Sequence, residues 1–155
     1  AEPIGTLRFV FAVASTYPLA DAGLLGAVEL AEYRAIAVAD SARRLLPRTV
    51  GLLSGRDVLT VPDMQTKLLL QLAGAGYGFL PEPYARGALL EGRLREVQVG
   101  TRKPDETFYL AWRPGEEGEA LSWWRRALRS EGLFERWLQA LAATYRSVAA
   151  GQSPL

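Results

Sequence analysis

Residues 67–81 read KLLLQLAGAGYGFLP, and this stretch decides the fold of the chain. Residues 68–73 are mostly leucine and alanine, which predicts an apolar helix, and residues 77–81 predict a short buried strand. Gly74 and Gly76 lie between them, and glycine tolerates the left-handed backbone conformation that often ends a helix. The stretch therefore predicts a helix that passes directly into a strand, which is one corner of an α/β sheet.

Short apolar segments alternate with helical segments through the rest of the chain. Most of the apolar segments are continuous, which favours a sheet that is covered by helices on both faces. The alternation of strands and helices predicts an α/β fold with a mostly parallel sheet. The predicted strands are residues 6–13, 35–38, 58–61, 77–80, 94–99 and 107–112, and the predicted helices are residues 28–33, 64–73, 82–86, 119–129 and 133–147.

The composition excludes several classes of function. The chain has 155 residues with no cysteine and no histidine, which rules out disulfides, thiolate nucleophiles and histidine-based catalysis and limits any metal site to oxygen ligands. The net charge of +1 does not suit a surface that binds DNA phosphates. No apolar run approaches the ~20 residues that span a bilayer. The sequence therefore predicts a soluble chain without a cofactor, a metal or a membrane partner.

Residues 74–78, GAGYG, are similar in composition to a dinucleotide-binding loop. Such a loop leaves a strand and enters a helix, so that the helix N-terminus faces the pyrophosphate. Here the helix comes first and the strand follows it. We interpret residues 74–78 as a structural turn with a backbone available to border a ligand cleft, and phosphate binding is the alternative.

Five motifs follow one another between the predicted strand that contains residue 7 and the predicted strand that ends at residue 112, and in this order they resemble the effector-binding domain of LysR-type transcriptional regulators. In that family a strand ending in an hPLA turn, a short helix and strand, a GxGxGxLP turn, a GxL turn and a returning strand follow one another. The resemblance covers about residues 7–126, and Tyr17 occupies a position where histidine is common. The corresponding segments are residues 7–20, 28–38, 74–81, 91–94 and 108–112.

The resemblance implies a periplasmic-binding-protein-like fold, in which a mixed, mostly parallel sheet has flanking helices. Residues 15–106 would form the complete second effector subdomain, whereas residues 1–14 and 107–155 would be a remnant of the first subdomain with the C-terminal helices. The chain would then be an N-terminally truncated piece, and DNA would be bound only through the absent winged helix-turn-helix. The family further implies a cytoplasmic homo-oligomer, as a dimer or, in the full-length protein, a tetramer.

The function implied by the resemblance is small-molecule effector sensing for a bacterial transcriptional regulator, without enzymatic chemistry. Binding between two lobes would favour one arrangement of the oligomer on DNA. A secreted or periplasmic solute-binding protein of similar bilobal fold is the alternative. An enzyme is the third hypothesis, and the sequence supplies it with no candidate catalytic residues.

The candidate effector-binding residues follow the predicted strands or border the glycine turn. Ligands bind at the carboxyl edge of open α/β sheets, because backbone N–H groups and helix N-termini converge there. Asp63 is also a candidate N-cap for the helix at residue 64, and Ser15 and Ser41 are also candidates for turn formation. The candidate effector-binding residues are Ala14, Ser15, Thr16, Asp40, Ser41, Pro62, Asp63 and Gly76.

Residues 43–55 depart from the family pattern, which places a helix there. Pro47 and the pair Ser54-Gly55 predict a loop and a hairpin instead. The guanidinium groups in this segment suit a carboxylate effector such as an organic acid, and solvated surface arginines are the alternative. The arginines concerned are Arg43, Arg44 and Arg48.

The implied truncation predicts that the chain self-associates. Residues 7–13 and 108–112 would have fewer sheet neighbours than in an intact domain, and unpaired strands and apolar faces seek partners. A dimer that pairs these elements across subunits would cover both. The apolar residues expected to be left uncovered are Trp123, Trp124, Phe134 and Trp137.

Overall fold

The computed structural model describes residues 1–39, 57–115, 118–130 and 132–149. The predicted loop and hairpin at residues 43–55, the candidate site residues Asp40 and Ser41, and Arg43, Arg44 and Arg48 lie outside these residues. The described residues form seven strands, β1 to β7: Glu2–Leu7, Phe9–Ala14, Ala35–Val38, Val58–Val61, Gly78–Pro81, Leu94–Glu96 and Glu106–Leu110. They form five helices, α1 to α5: Ala27–Leu30, Met64–Leu72, Glu82–Leu90, Glu119–Ser130 and Leu133–Ala149.

The elements agree with the predicted order, and the largest difference lies near the N-terminus. β3 and β4 have the predicted bounds, and each predicted helix is present with ends that differ by a few residues. The predicted strand at residues 6–13 is two strands, because Arg8 separates them, and β1 begins earlier than predicted. Pro3 and Gly5 disfavour a strand, and the register of β1 shifts between them. Pairing with β7, which the local sequence does not reveal, accounts for β1.

Five strands form the main sheet in the order β4-β3-β5-β2-β6. β3 pairs with β4 in parallel, and a parallel bridge between Ala35 and Tyr77 joins β3 to β5. β2 lies between β5 and β6 and is antiparallel to both, so β5 and β6 are parallel to each other. Four of the five strands therefore point the same way, which confirms the mixed, mostly parallel α/β sheet. Among the described strands of this sheet, β2 alone runs in the opposite direction.

Helices cover both faces of this sheet, and β2 contributes to the core on each side. Phe11 and Val13 of β2 pack in the core that contains Leu30 of α1, on a side we name the α1 face. Val10 and Ala12 alternate with them and pack in the core that α2 and α3 close, which we name the α2 face. The sheet is therefore the middle layer of three.

β1 and β7 form a separate antiparallel ribbon to which α4 is attached by a buried ion pair. Glu2 of β1 is buried, and its carboxylate accepts hydrogen bonds from Arg125 (Nε to Oε1, 3.3 Å) and from Arg129 of α4. A buried carboxylate is costly unless it is paired, so this contact determines where α4 packs on the ribbon.

The structure corrects one premise of the predicted self-association. β2 has a strand neighbour on each side, and β1, which contains Leu7, pairs with β7. Residues 9–13 of β2 are therefore paired on both sides, whereas β1 and β7 pair only with each other among the described strands; that residues 7–13 and 108–112 have fewer neighbours than in an intact domain stays a prediction. Phe134, which was expected to be uncovered, is buried. Among the side chains that the structure describes after residue 105, the exposed large aromatic ones are Phe108, Tyr109, Trp123, Trp124 and Trp137.

The glycine turn after α2 has the predicted geometry. Gly74 has a φ of 75°, its N–H donates to the carbonyl oxygen of Gln71 (3.0 Å), and the N–H of Ala75 donates to that of Leu70 (2.9 Å). This pair of bonds is a Schellman motif, which satisfies the last carbonyl groups of the helix. Gly76 follows in a different role, because a Cβ at this position would lie 2.5 Å from the carbonyl oxygen of Arg34.

Gln71 is fully buried on the α2 face, although a leucine of the same helix is exposed. Its Nε2 donates to the carbonyl oxygens of Ala12 of β2 (2.7 Å) and Gly78 of β5 (3.2 Å). Its Oε1 is buried and has no hydrogen-bond partner within the described part of the chain. Leu69, two residues earlier, is 44% exposed. The side chain of Gln71 thus joins α2 to two strands through their backbone.

Lys67 is the second polar residue of α2 that is buried. Its side chain lies against Gly78, one helical turn before Gln71, and the residue is only 6% exposed. The pKa of Lys67 is lowered to about 8, mainly because burial disfavours the charged form and also because of the positive charge of Lys103. The charged form of Lys67 therefore lowers the stability of the folded chain.

We expect Gly76→Ala to lower the free energy of unfolding by about 1–3 kcal/mol, the usual cost of forcing an atom into a packed interior. The physical reason is the 2.5 Å approach of the new Cβ to the Arg34 carbonyl oxygen. Urea unfolding followed by circular dichroism measures the change. Gly23→Ala is the matched control, because a Cβ at residue 23 meets nothing within 4 Å. Equal stability of the two variants would show that β3 and β5 do not require this glycine.

We expect the free energy of unfolding to rise between about pH 7.5 and 9.5. The pKa of Lys67 is lower in the folded chain than its unfolded value of 10.5, so the unfolded state binds more protons in this range and stability increases with pH. The full effect, reached only above the unfolded pKa, is of the order of 3 kcal/mol.

Urea unfolding at a series of pH values measures this profile. Lys67→Met should flatten it, and Lys103→Met, the control, should retain most of the rise. The series stops below pH ~10 because burial raises the pKa of Tyr17 and Tyr77, which oppose the trend once unfolded tyrosines ionise. A wild-type profile as flat as that of Lys67→Met contradicts the assignment.

Candidate functional site

Three parallel strands end at one edge of the main sheet, which we name the carboxyl edge. β3 ends there at Val38, β4 at Val61 and β5 at Pro81, and β2 begins there, because Phe9 is paired with Pro81. Strand ends of this kind bring backbone groups and helix N-termini together, which makes the edge the expected place for a ligand.

Pro62 and Asp63 lie at the carboxyl edge, where both are exposed. Asp63 is the N-cap of α2, and its Oδ1 accepts a hydrogen bond of 2.7 Å from the backbone N–H of Thr66. The Thr66 N–H holds the pKa of the Asp63 carboxyl below its usual value. The N-cap alternative is therefore confirmed, and Asp63 remains an ionised carboxylate at the entrance to the edge.

Ala14, Ser15 and Thr16 lie at the opposite edge of the sheet. They follow β2, and β2 runs antiparallel to β5. Ser15 donates its backbone N–H to the carbonyl oxygen of Arg93 (3.0 Å), and the N–H of Tyr17 donates to that of Ala14 (2.9 Å), which confirms a turn. The expectation that these residues share an edge with Pro62 and Asp63 is wrong, because it assumed that all three preceding strands are parallel.

Gly76 also lies at this opposite edge, because it precedes β5. Its Cα is covered by the Arg34 carbonyl oxygen and by the side chain of Ile36, to which a Cβ would come within 2.9 Å. Of the eight candidate residues, the structure thus brings only Pro62 and Asp63 together at the carboxyl edge, and Asp40 and Ser41 lie outside the described residues.

A cleft of about 770 Å³ opens at the carboxyl edge on the α1 face of the sheet. β2 and β5 supply aromatic walls, the chain after β6 supplies a second wall, and residues 102–105 close the end. A volume of this size is sufficient for a small organic molecule. The lining residues are Arg8, Phe9, Phe11, Leu24, Phe79, Glu96, Val97, Gln98, Val99, Arg102, Lys103, Pro104 and Asp105.

The cationic groups of the cleft have different partners. Arg8 forms an ion pair with Glu96 (3.3 Å), and the exposed side chains of this pair make it weak. Lys103 forms an ion pair with Glu106 (2.8 Å) and lies over the ring of Phe9, 3.3 Å from its centroid. Lys103 therefore stands beside the first residue of β2, at the carboxyl edge.

Sequence reasoning missed Lys67, which lies on the α2 face in the half of α2 that is nearer the carboxyl edge, with the end of its side chain against Gly78. Side chains of a helix tilt toward its N-terminus, and the N-terminus of α2 is at the carboxyl edge. The spacing of Lys67 and Gln71, four residues apart, places them on one side of the helix. Leucines occupy residues 68–70 and 72, which lie on several sides of the helix, so the sequence pattern alone does not indicate which side is buried.

The arrangement at the carboxyl edge suits the binding of a small molecule. The sequence contains no histidine and no cysteine, and the described residues contain no group of three acidic side chains that could hold a metal ion. No helix in the described ranges is long and apolar enough to cross a membrane. What the carboxyl edge offers is an apolar cleft with a few charged groups, which is typical of a small-molecule site.

Comparison with known proteins identifies relatives along most of the chain. HTH-type transcriptional activator AllS of Salmonella typhimurium is 34% identical over 121 residues, which are 77% of this chain and 39% of AllS. HTH-type transcriptional regulator YeeY of Escherichia coli is 37% identical over 123 residues, 79% of this chain and 40% of YeeY. The chain thus spans about two fifths of the length of these relatives.

Solved structures show the same fold at low sequence identity. The regulatory domain of the LysR family regulator MetR from N. meningitidis has a TM-score of 0.65 at 18% identity, over 85% of this chain and 63% of that one. The effector-binding domain of QuiR in complex with shikimate has a TM-score of 0.63 at 18% identity, over 84% and 64%. The CcmR regulatory domain of Synechocystis in complex with 2-PG has a TM-score of 0.60 at 17% identity, over 91% and 65%.

The periplasmic-binding-protein-like fold predicted from the sequence is therefore confirmed. A family model, the LysR substrate binding domain, matches residues 1–133. The motifs on which the resemblance rested, the glycine turn among them, lie within this match. The chain belongs to the family of LysR substrate-binding domains.

Proposed function

We propose that this chain binds a small-molecule effector at the carboxyl edge, and that this binding changes the arrangement of the DNA-binding part of a longer transcriptional regulator. Family membership carries the proposal, together with an open cleft at the point where β1 of the ribbon leads into β2 of the main sheet, so that the ribbon with α4 and α5 and the main sheet with its helices are the two halves of the chain. An effector that contacts both halves favours one of their arrangements only if it binds that arrangement more tightly.

The structural neighbours support a ligand of modest size. QuiR was solved with shikimate and CcmR with 2-PG, and their folds match this one over most of the chain. For this chain we propose the same kind of occupant, a small polar metabolite. Pro62 and Asp63 would contact it, and Asp40 and Ser41 remain proposed contacts.

The regulator is favoured over the solute-binding protein, because the relatives are transcriptional regulators. We propose that the chain catalyses no reaction, acts in the cytoplasm and binds DNA only as part of a longer protein. We also propose that residues 15–106 form the second effector subdomain and that residues 1–14 and 107–155 belong to the first. β2 qualifies this division, since its partners β5 and β6 lie in the second part.

We expect members of a panel of small metabolites, both anionic and neutral, to raise the melting temperature of the chain. Pro62→Trp, which obstructs the carboxyl edge, or Leu24→Trp, which fills the cleft from an exposed position, should abolish the increase. Val28→Trp is the matched control, because Val28 is at least as exposed as Leu24 but does not line the cleft. A panel without any stabilising compound contradicts the proposed function.

We expect the chain to form a dimer or a larger species at micromolar concentration. Trp123, Trp124 and Trp137 are exposed and adjacent: the ring centroids of Trp123 and Trp124 are 4.8 Å apart, and those of Trp124 and Trp137 are 6.2 Å apart. Exposed apolar surfaces of this kind tend to associate. Light scattering measures the mass. Trp137→Glu should shift it toward the monomer, whereas Leu90→Glu, at an exposed residue on α3, should not. A monomeric wild-type chain would refute the association.

A further inference from the structure

The sequence uses lysine at only two positions, and the fold places Lys103 at the carboxyl edge and Lys67 in the half of α2 nearer that edge. Of 18 basic residues, Lys67 and Lys103 are the two lysines, and the others are arginines. Lys67 comes from α2 on one face of the sheet, and Lys103 comes from the cleft on the other. After burial, the charge of Lys103 is the second cause of the lowered pKa of Lys67, so the two ammonium groups repel each other.

The two lysines differ in their partners. Lys103 has Glu106 at 2.8 Å and the ring of Phe9. The described residues give the Lys67 ammonium no carboxylate and no hydrogen-bond acceptor, although the residue is only 6% exposed. A buried charge without a partner is among the most costly groups in a fold, and a neutral side chain of similar length would avoid that cost.

We propose that Lys67 recognises a negatively charged group, a carboxylate or a phosphate, of the effector, and that the effector is therefore a small anion. This inference rests on the proposed effector-sensing function and names its ligand class. An anion that reaches the Lys67 ammonium supplies the missing partner, and it also reduces the repulsion between Lys67 and Lys103. The interaction is strong because it forms where water is largely excluded.

The surroundings of Lys67 favour an anion over a neutral ligand. The N-terminus of α2 lies at the same edge, and its partial positive charge adds to that of the two ammonium groups. Asp63 is the opposing charge, and it is exposed and engaged by the Thr66 N–H. Gly78 also shapes the surroundings of Lys67. Because glycine has no side chain, it leaves the space that the end of Lys67 occupies, and a Cβ at this position would lie 3.0 Å from Nζ.

The test compares matched pairs of charged and neutral probes. The anions are acetate, malonate, succinate and inorganic phosphate, and the neutral partners are acetamide, malonamide and succinamide, all at one ionic strength set with sodium chloride. Selective 13C labelling of lysine gives two side-chain signals, and Lys67→Met identifies the one that belongs to Lys67. We expect at least one anion to move the Lys67 signal saturably, while its amide leaves the signal unchanged.

Lys67→Met provides the second measurement. We expect it to weaken binding of that anion by roughly tenfold or more, since a hydrogen bond to a charged group is lost together with the charge. The melting temperature of the empty variant should equal or exceed that of the wild type, because an unpaired buried charge has been removed. Arg95→Met is the control for a general loss of positive charge, since Arg95 lies on β6 with an exposed side chain.

Two results overturn the inference. One is an anion that binds Lys67→Met as tightly as it binds the wild type. The other is a Lys67 signal that no anion moves. If a neutral metabolite still raises the melting temperature in that second case, the proposed function stands and only the anionic ligand class fails. If no compound of either kind binds, the proposed function fails as well.

Discussion

β2 is the constraint on which the rest of the fold depends. It has hydrogen-bonded neighbours on both sides and a packed core on both faces, so every residue from Val10 to Ala14 is buried. A strand so enclosed cannot slip in register without moving apolar side chains between the two cores. Its direction, opposite to that of the other four strands, determines that its beginning rather than its end lies at the carboxyl edge. The position of Arg8 and of the cleft follows from this direction.

The α2 face shows that stability is not the only requirement on this core. The burial of Gln71 is partly compensated, because its amide N–H groups bond to the backbone of two strands, but its Oε1 has no partner in the described part of the chain. The burial of Lys67 is not compensated by a hydrogen bond to any described residue. Buried polar groups cost free energy unless they are paired, and exceptions of this kind concentrate at functional sites. Leu69, which lies between Lys67 and Gln71, is exposed, so α2 buries two polar side chains while it exposes an apolar one.

The main sheet and the β1–β7 ribbon are joined where β1 leads into β2, where residues 97–105 lead from β6 to β7, and where α5 packs against α3. β1 and β2 are separated only by Arg8, which pairs with Glu96 of the main sheet and lines the cleft. α5 packs against α3, so the C-terminal helices also rest on the main sheet's outer layer. Glu2 holds α4 to the β1–β7 ribbon. A ligand at the carboxyl edge is therefore close to the junction, where a small displacement changes the relation between the halves.

The sequence by itself determined the order and type of the elements, because apolar runs, Asp63 as an N-cap and Gly74 as a helix end are local signals that each residue carries with it. It also indicated the family, through motifs that keep their order along the chain. It did not determine which loops share an edge, since Ala14 and Pro62 both follow strands and only pairing decides the direction of each strand. Nor did it reveal β1 or the burial of Lys67. These depend on contacts between residues distant in sequence, β1 on β7 and Lys67 on Gly78 and Lys103, which only the tertiary structure decided.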